Sequence, residues 1–151
     1  MKANPLRLRS HEVPLPCACA TLRRASRAVT QAYNQTLRGS GLEVTQFTFL
    51  QVLARAGELT QSRMANLLAI DSTTLSRSLK PLEKSGWIAI RPGSDRRERH
   101  LRLTAAGRKT LEQAMPQWRL AQEQLRKRLG EAAWSLLTLS ADLATGASRA
   151  G

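Results

Sequence analysis

Apolar positions recur along this chain with a helical period, except in one short segment where they alternate. Between Pro16 and Leu37, the residues Cys19, Leu22, Ser26, Val29, Tyr33 and Leu37 fall at three- and four-residue steps and mark one face of a long helix. Pro16 suits its first turn, where the missing N–H costs nothing, and Gly39 and Gly41 end it. A second helix is expected from Val44 to about Ala56, closed by Gly57. Thr60 then caps a short helix ending near Leu68, with Met64, Leu67 and Leu68 facing inward. The stretch AIDSTT reads as a tight turn in which Asp71 or Ser72 caps the next helix by accepting a free N–H of its first turn. That helix carries Leu75, Leu79 and Leu82 on one face and Thr73, Ser76, Arg77 and Lys80 on the other. Pro81 lacks an amide donor and predicts a kink or an early end.

The period then changes to two. Ile88 and Ile90 alternate with polar or small neighbours, as do Leu101 and Leu103, and PGSD between them has turn chemistry. This predicts a two-stranded ribbon. Thr104 ends the ribbon and caps a long helix that keeps Leu111, Met115, Trp118, Leu125 and Leu129 at helical spacing. Pro116 should bend it and Gly130 break it, leaving a last helix of about Glu131–Leu143 with Trp134, Leu137 and Leu143. There is no internal repeat.

Composition sharpens this picture. The 151 residues suffice for one domain with a real core, and 42% hydrophobic residues are too many for a disordered chain. Lys and Arg number 24 against 11 Asp and Glu, a formal net charge of +13. Such a balance fits a polyanionic partner better than a general solubility charge, because the charge is concentrated. In the ribbon segment DRRERHLRLTAAGRK, seven residues are Arg, Lys or His. No apolar run approaches a membrane span, and the first residues lack the apolar stretch of a signal peptide, so no membrane association is expected. Residues 1–15 read as a flexible polar arm. The two cysteines, Cys17 and Cys19, make no disulfide framework and fit a reducing cytoplasm.

The order of elements is short helix, turn, helix with a polar outer face, basic β-ribbon. It describes a winged helix-turn-helix: a mainly α fold with a small β-wing. The second helix of the pair enters the major groove of double-stranded DNA, where Ser72, Thr73, Thr74, Ser76, Arg77 and Lys80 can meet base edges or phosphates. Arg96, Arg97 and Arg99 on the ribbon can reach phosphates or the narrow minor groove. A solvated hairpin would account for one arginine, but less well for three in four positions behind a helix-turn-helix pattern.

These residues resemble the MarR family of transcriptional regulators. DRRERHLRLTAAG is similar to the family's wing signature, with Asp95, Arg97, Leu101, Leu103, Thr104 and Gly107 at the matching positions. LTQSRMANLLAIDSTTLSRSLKPLEKSGWI is similar to its helix-turn-helix, and the resemblance extends from about Cys17 to Leu143. It implies a homodimer that pairs through its N- and C-terminal helices, here residues 16–40 and 105–147, around a DNA-binding domain at 43–104. It also implies recognition of inverted repeats, usually to repress transcription, with release by a small-molecule effector or by oxidation. The residues support pairing independently: the terminal helices carry Trp118 and Trp134 among other large apolar groups, more than a small winged domain can cover.

PCACATLRRAS suggests a switch. Both cysteines are expected in the first turn of the first helix, where the helix dipole favours a thiolate and Arg23 adds positive charge one turn beyond Cys19. Two residues apart in a helix, they point to nearly opposite sides, which leaves disulfides between chains. The stretch resembles the organic-hydroperoxide-sensing branch of the family. Cys19 falls on its reactive cysteine and Tyr33 on one tyrosine partner, although Arg23 replaces a second tyrosine and Cys17 is atypical. The alternative is that Cys19 is a small buried apolar residue. A metal site is disfavoured because His11 and His100 are the only histidines. No cofactor is expected and no enzyme, since the chain shows no nucleophile with a base, no phosphate loop and no paired carboxylates. The alternative function is a nonspecific architectural DNA binder, which would need fewer base-edge groups and more lysine.

Overall fold

The computed structural model describes residues 17–95 and 98–147, without the side chains of 138 and 141–147; the expected N-terminal arm lies outside them. Among the described residues, five α-helices and a one-turn 3-10 helix (Arg38–Ser40) accompany a small sheet: α1 (Ala18–Leu37), α2 (Val44–Ala56), β1 (Glu58–Thr60), α3 (Gln61–Leu68), α4 (Ser72–Lys84), β2 (Ile88–Pro92), β3 (Arg99–Leu103) and α5 (Ala105–Ala147). The fold is mainly α with a small β-wing.

The expected two-stranded ribbon is part of a three-stranded antiparallel sheet, ordered β1–β3–β2. Glu58, Leu59 and Thr60 pair with Arg102, Leu101 and His100. Three residues are too few to show alternation, so β1 is invisible to periodicity. Alternation along β3 turns Leu101 and Leu103 into the core and leaves His100 and Arg102 on the opposite face of the sheet.

One core joins the end of α1 to the winged unit: Leu37, Phe47, Leu50, Leu53, Met64, Leu75, Leu79, Leu82 and Leu101 are fully buried. Leu67 departs from expectation. It is exposed, because α3 is a single short helix whose inward line is Met64 and Ala65, with Leu68 half-buried. Pro81 neither ends nor shortens α4, which runs on to Lys84 with Pro81 on its exposed side. Helical backbone also continues through Pro116; the break in α5 comes at Gly130, at φ 76° and ψ 163°, which glycine adopts without a Cβ clash. Arg126 and Glu131 straddle that break with paired hydrogen bonds of 2.7 and 2.6 Å.

A second, smaller cluster joins α1 to α5. Tyr33, Ala121 and Leu125 are buried there against Val29, Trp118 and Trp134. Trp118 links the two clusters by stacking on Phe47, with ring centroids 5.4 Å apart. Beyond these contacts the outer helices keep Leu22, Leu120, Leu129, Leu136, Leu137 and Leu139 exposed within the single chain.

The root of the wing is the tightest junction. The Thr104 hydroxyl lies 2.6 Å from the Gly86 carbonyl oxygen and 3.0 Å from that of Trp87, and accepts the Gly107 N–H at 3.0 Å as the cap of α5. A Cβ on Gly107 would stand 2.0 Å from the Trp87 carbonyl oxygen and 2.8 Å from a Leu103 methyl. Backbone cannot yield as a flexible side chain can. Gly107→Ala is therefore expected to destabilise the fold by at least about 2 kcal/mol, read as a lower denaturant midpoint at unchanged slope. A midpoint equal to that of the wild type would refute this account of the glycine.

Candidate DNA-binding surface

Helices α3 and α4 are joined by a short turn that starts at Ala69, whose left-handed backbone (φ 51°, ψ 42°) caps α3 without a glycine. Asp71, one of the two expected caps, starts α4. Its carboxylate accepts the Thr74 N–H at 2.8 Å and the Thr74 hydroxyl at 2.5 Å. These two bonds, the hydroxyl's first, hold the Asp71 carboxyl below the usual carboxylate range.

The apolar line Leu75, Leu79 and Leu82 fixes the rotation of α4 and so decides which residues face outward. Thr73, Arg77 and Lys80 are exposed at helical spacing on the outer side, with Ser72 exposed at the helix start and Ser76 half-buried beside them. Thr74 differs from its neighbours. Its hydroxyl is committed to Asp71, and it lines a cleft of about 330 Å³ with Thr30 of α1, Val44, Thr48 and Phe49 of α2, and Ser78.

On the wing, Arg99 is exposed and pairs in register with Pro92 of β2. Arg96 and Arg97 lie outside the described residues. Strand pairing brings other cations to this sheet that the reading of the tip arginines passed over. Arg91 is exposed opposite His100, and Arg102 is exposed opposite Glu58. Their signal was in the alternation of Arg102 with Leu101 and Leu103. Arg63 in the first turn of α3, and Arg108 and Lys109 early in α5, are exposed as well.

The cysteine stretch differs in detail from expectation. Cys17 has extended backbone (φ −99°, ψ 120°) and caps α1 from outside it, so helical spacing does not govern its distance from Cys19. Both cysteines are exposed, as is Arg23. Tyr33 does not offer a free hydroxyl: it is buried and donates to Gln122 Oε1 at 2.7 Å. Burial pushes its pKa up. Among the described residues no group of three or more His, Cys, Asp or Glu could hold a metal ion, and no helix is long and apolar enough to cross a membrane.

A helix pair with a short turn, followed by a β-hairpin packed on the same core, is a winged helix-turn-helix. A model of the MarR family matches residues 40–98. The structure is similar to that of the transcriptional regulator MosR of M. tuberculosis in complex with DNA. The two are 36% identical with a TM-score of 0.79, over 89% of this chain and 97% of that one. The transcriptional repressor CouR, bound to a 23-mer DNA duplex, is 26% identical with a TM-score of 0.74 over 88% of this chain and 99% of that one. The uncharacterised HTH-type transcriptional regulator YwoH of Bacillus subtilis is 30% identical over 92 residues, 61% of this chain and 67% of YwoH. The chain belongs to the MarR family of transcriptional regulators.

The Asp71 cap has a consequence for pH. A carboxyl held low in the folded state stabilises above its unfolded pKa, and that contribution is lost as pH falls through the folded value. Asp71→Asn keeps a capping oxygen but removes the charge. It is expected to lower the thermal midpoint at pH 7, with the gap to wild type closing as pH drops below the carboxylate range. A gap that is constant with pH would show that the charge is irrelevant to the cap.

Proposed function

We propose that this protein is a homodimeric, sequence-specific DNA-binding repressor that recognises an inverted repeat. The observation that carries the reading is the outer face of α4: exposed Thr73, Arg77 and Lys80 on a helix locked by three buried leucines, beside a cationic wing. Arginine can bond a guanine edge in two places and short hydroxyls can meet several bases, which is the equipment of sequence readout more than of bulk packaging. The complexes of MosR and CouR with DNA support the same partner. Exposed leucines on α1 and α5 give the chain an apolar surface that a second copy would cover, and two-fold pairing matches a palindromic site. The protein would act in the cytoplasm, where its operator lies.

Arg77 is assigned discrimination and Arg96 affinity. On a duplex selected by the protein from a random pool, Arg77→Ala should cost about 1–3 kcal/mol and flatten the preference over a scrambled duplex. Arg96→Ala should weaken both duplexes evenly and lower the salt slope by about one. Sedimentation should find two chains per duplex. Equal losses for both variants on both duplexes would point to a nonspecific architectural binder instead.

Release is assigned to an effector in the cleft beside Thr74 or to oxidation at Cys19. In the second route an organic hydroperoxide gives up one oxygen to the Cys19 thiolate and leaves as the alcohol. The resulting sulfenic acid condenses with a thiol, such as the partner's Cys17, to a disulfide and water. The exposure of both cysteines at the start of α1 favours this chemistry over simple packing. Dilute organic hydroperoxide is expected to lower operator affinity reversibly in the wild type and to leave Cys19→Ser unaffected. Undiminished affinity after treatment would remove the oxidative route and leave the cleft.

A further inference from the structure

We infer that His100 is a positioning residue for the wing, holding the wing's closing turn to β1 when its ring is doubly protonated. The inference rests on the DNA-binding reading above. His100 projects from the face of β3 opposite the core, half-buried, with a carboxylate at each ring nitrogen. Nδ1 lies 3.1 Å from Glu58 Oε1 on β1, and Nε2 lies 3.5 Å from Glu98 Oε2. A neutral imidazole has one N–H and would turn a lone pair toward one of these oxygens; an imidazolium has a donor for each. The arrangement is therefore complete only in the charged form.

Glu98 is well placed to transmit this. Its N–H donates to the Asp95 carbonyl at 2.9 Å and its own carbonyl accepts the Gly93 N–H at 2.8 Å, so it closes the turn of the wing. Its side chain lies against Gly93, where an added Cβ would meet Glu98 Cβ at 3.0 Å and Glu98 Oε2 at 2.8 Å. Glu58, at the other end, begins the strand that leads directly into α3. The histidine thus bridges the wing turn to the helix-turn-helix, across strands that backbone bonds already align.

The other charged groups around it are cations. Arg91 of β2 is opposite in register, Arg102 is two residues along the same strand and face, Arg99 is adjacent on the other face, and α3 carries Arg63 in its first turn. These disfavour a further positive charge, while Glu58 and Glu98 favour it at contact distance. Histidine is a side chain whose charge can be changed by mild acidification, so pH is the variable that tests the bridge.

The test measures affinity for the selected duplex from pH 8.5 to pH 5.5 by fluorescence anisotropy at fixed salt. Wild type is expected to tighten about two- to fivefold, the worth of one exposed ion pair, and His100→Gln to lose that response. His11→Gln, the other histidine, should keep it. Glu98→Gln separates positioning from simple charge. If only net charge mattered, this variant would bind more tightly and keep its pH response; if the bridge matters, the response flattens. A pH response retained in His100→Gln, or in Glu98→Gln, overturns the inference. Should no duplex bind at any pH, the DNA-binding reading fails by itself. The bridge is then judged on the DNA-free protein by the hydrogen-exchange protection of the Gly93 amide. Protection that rises on acidification in wild type but not in His100→Gln upholds the bridge, and equal protection in both refutes it.

Discussion

The contact between the first turn of α5 and Gly86–Trp87, the pair just before β2, governs this molecule. Gly107 lies against the Trp87 carbonyl with no room for a side chain, and Thr104 ties the same carbonyl and that of Gly86 to the start of α5. On the other side, the Trp87 N–H donates to the Leu82 carbonyl at 2.9 Å and the Ser85 N–H to that of Pro81 at 3.0 Å. The end of α4, the root of the wing and the start of α5 are therefore one hydrogen-bonded block. A rotation of α5 cannot be absorbed at a loose hinge there. It carries α4 and the wing with it, which is the property that the proposed dimer would need in order to set the spacing of two groove-reading elements at about one turn of DNA.

Electrostatics divide the surface less sharply than the ribbon segment suggests. The wing sheet carries Arg91, Arg99 and Arg102, but Arg23, Arg24 and Arg27 of α1 and Arg119 and Arg128 of α5 are exposed too. The difference lies in the carboxylates. On α5, Glu131 and Glu123 answer Arg126 and Lys127 at 2.6 and 3.0 Å, so part of that charge is locally neutralised. On the sheet, Glu58 and Glu98 turn to His100, and Asp71 is engaged by Thr74. Asp71, Glu58 and Glu98 are thus engaged by Thr74 and His100 in place of an arginine.

How much of this was legible in the sequence follows from the length of each signal. The period-3.6 runs of α1 and α2 span several turns, and their limits emerge to within a residue or two, because glycine and cap chemistry agree with the apolar spacing; for α4 the start emerges but not the end, since Pro81 suggests an early stop and the helix runs to Lys84. The outer face of α4 was legible for the same reason, being the complement of its leucines. β1 is three residues long and acquires its identity only from β3, so no local pattern reports it. Leu67 departs from the expected inward line because an eight-residue helix of little over two turns cannot distinguish two adjacent apolar stripes. The two prolines were expected to disturb their helices. At Pro81 the side chain faces solvent and the helix continues, since packing of the flanking leucines outweighs one absent bond. The Tyr33–Gln122 bond joins residues 89 apart in sequence, beyond the reach of any single-helix projection.

The cleft beside Thr74 adjoins the outward-facing helix. It opens where the first turn of α4 meets α1 and α2, and Thr74 belongs both to its wall and to the Asp71 cap. Thr74 is also next in sequence to Thr73, the first outward residue of α4. On the proposed reading, a molecule seated there touches the recognition helix at its N-terminal turn, while the Leu82–Trp87 bond holds the other end of that helix to Trp87, whose carbonyl is bonded by Thr104 at the start of α5. A helix fixed at one end and pushed at the other tilts. A tilt at the N-terminal turn moves Ser72 and Thr73 most, since they lie farthest from the fixed end, and Arg77 at mid-helix less. The wall offers hydroxyls and apolar groups, with no described arginine, lysine or histidine among its residues. That composition suits an uncharged, partly apolar molecule carrying one or two hydrogen-bonding groups better than a strong anion, which would enter without a counter-charge.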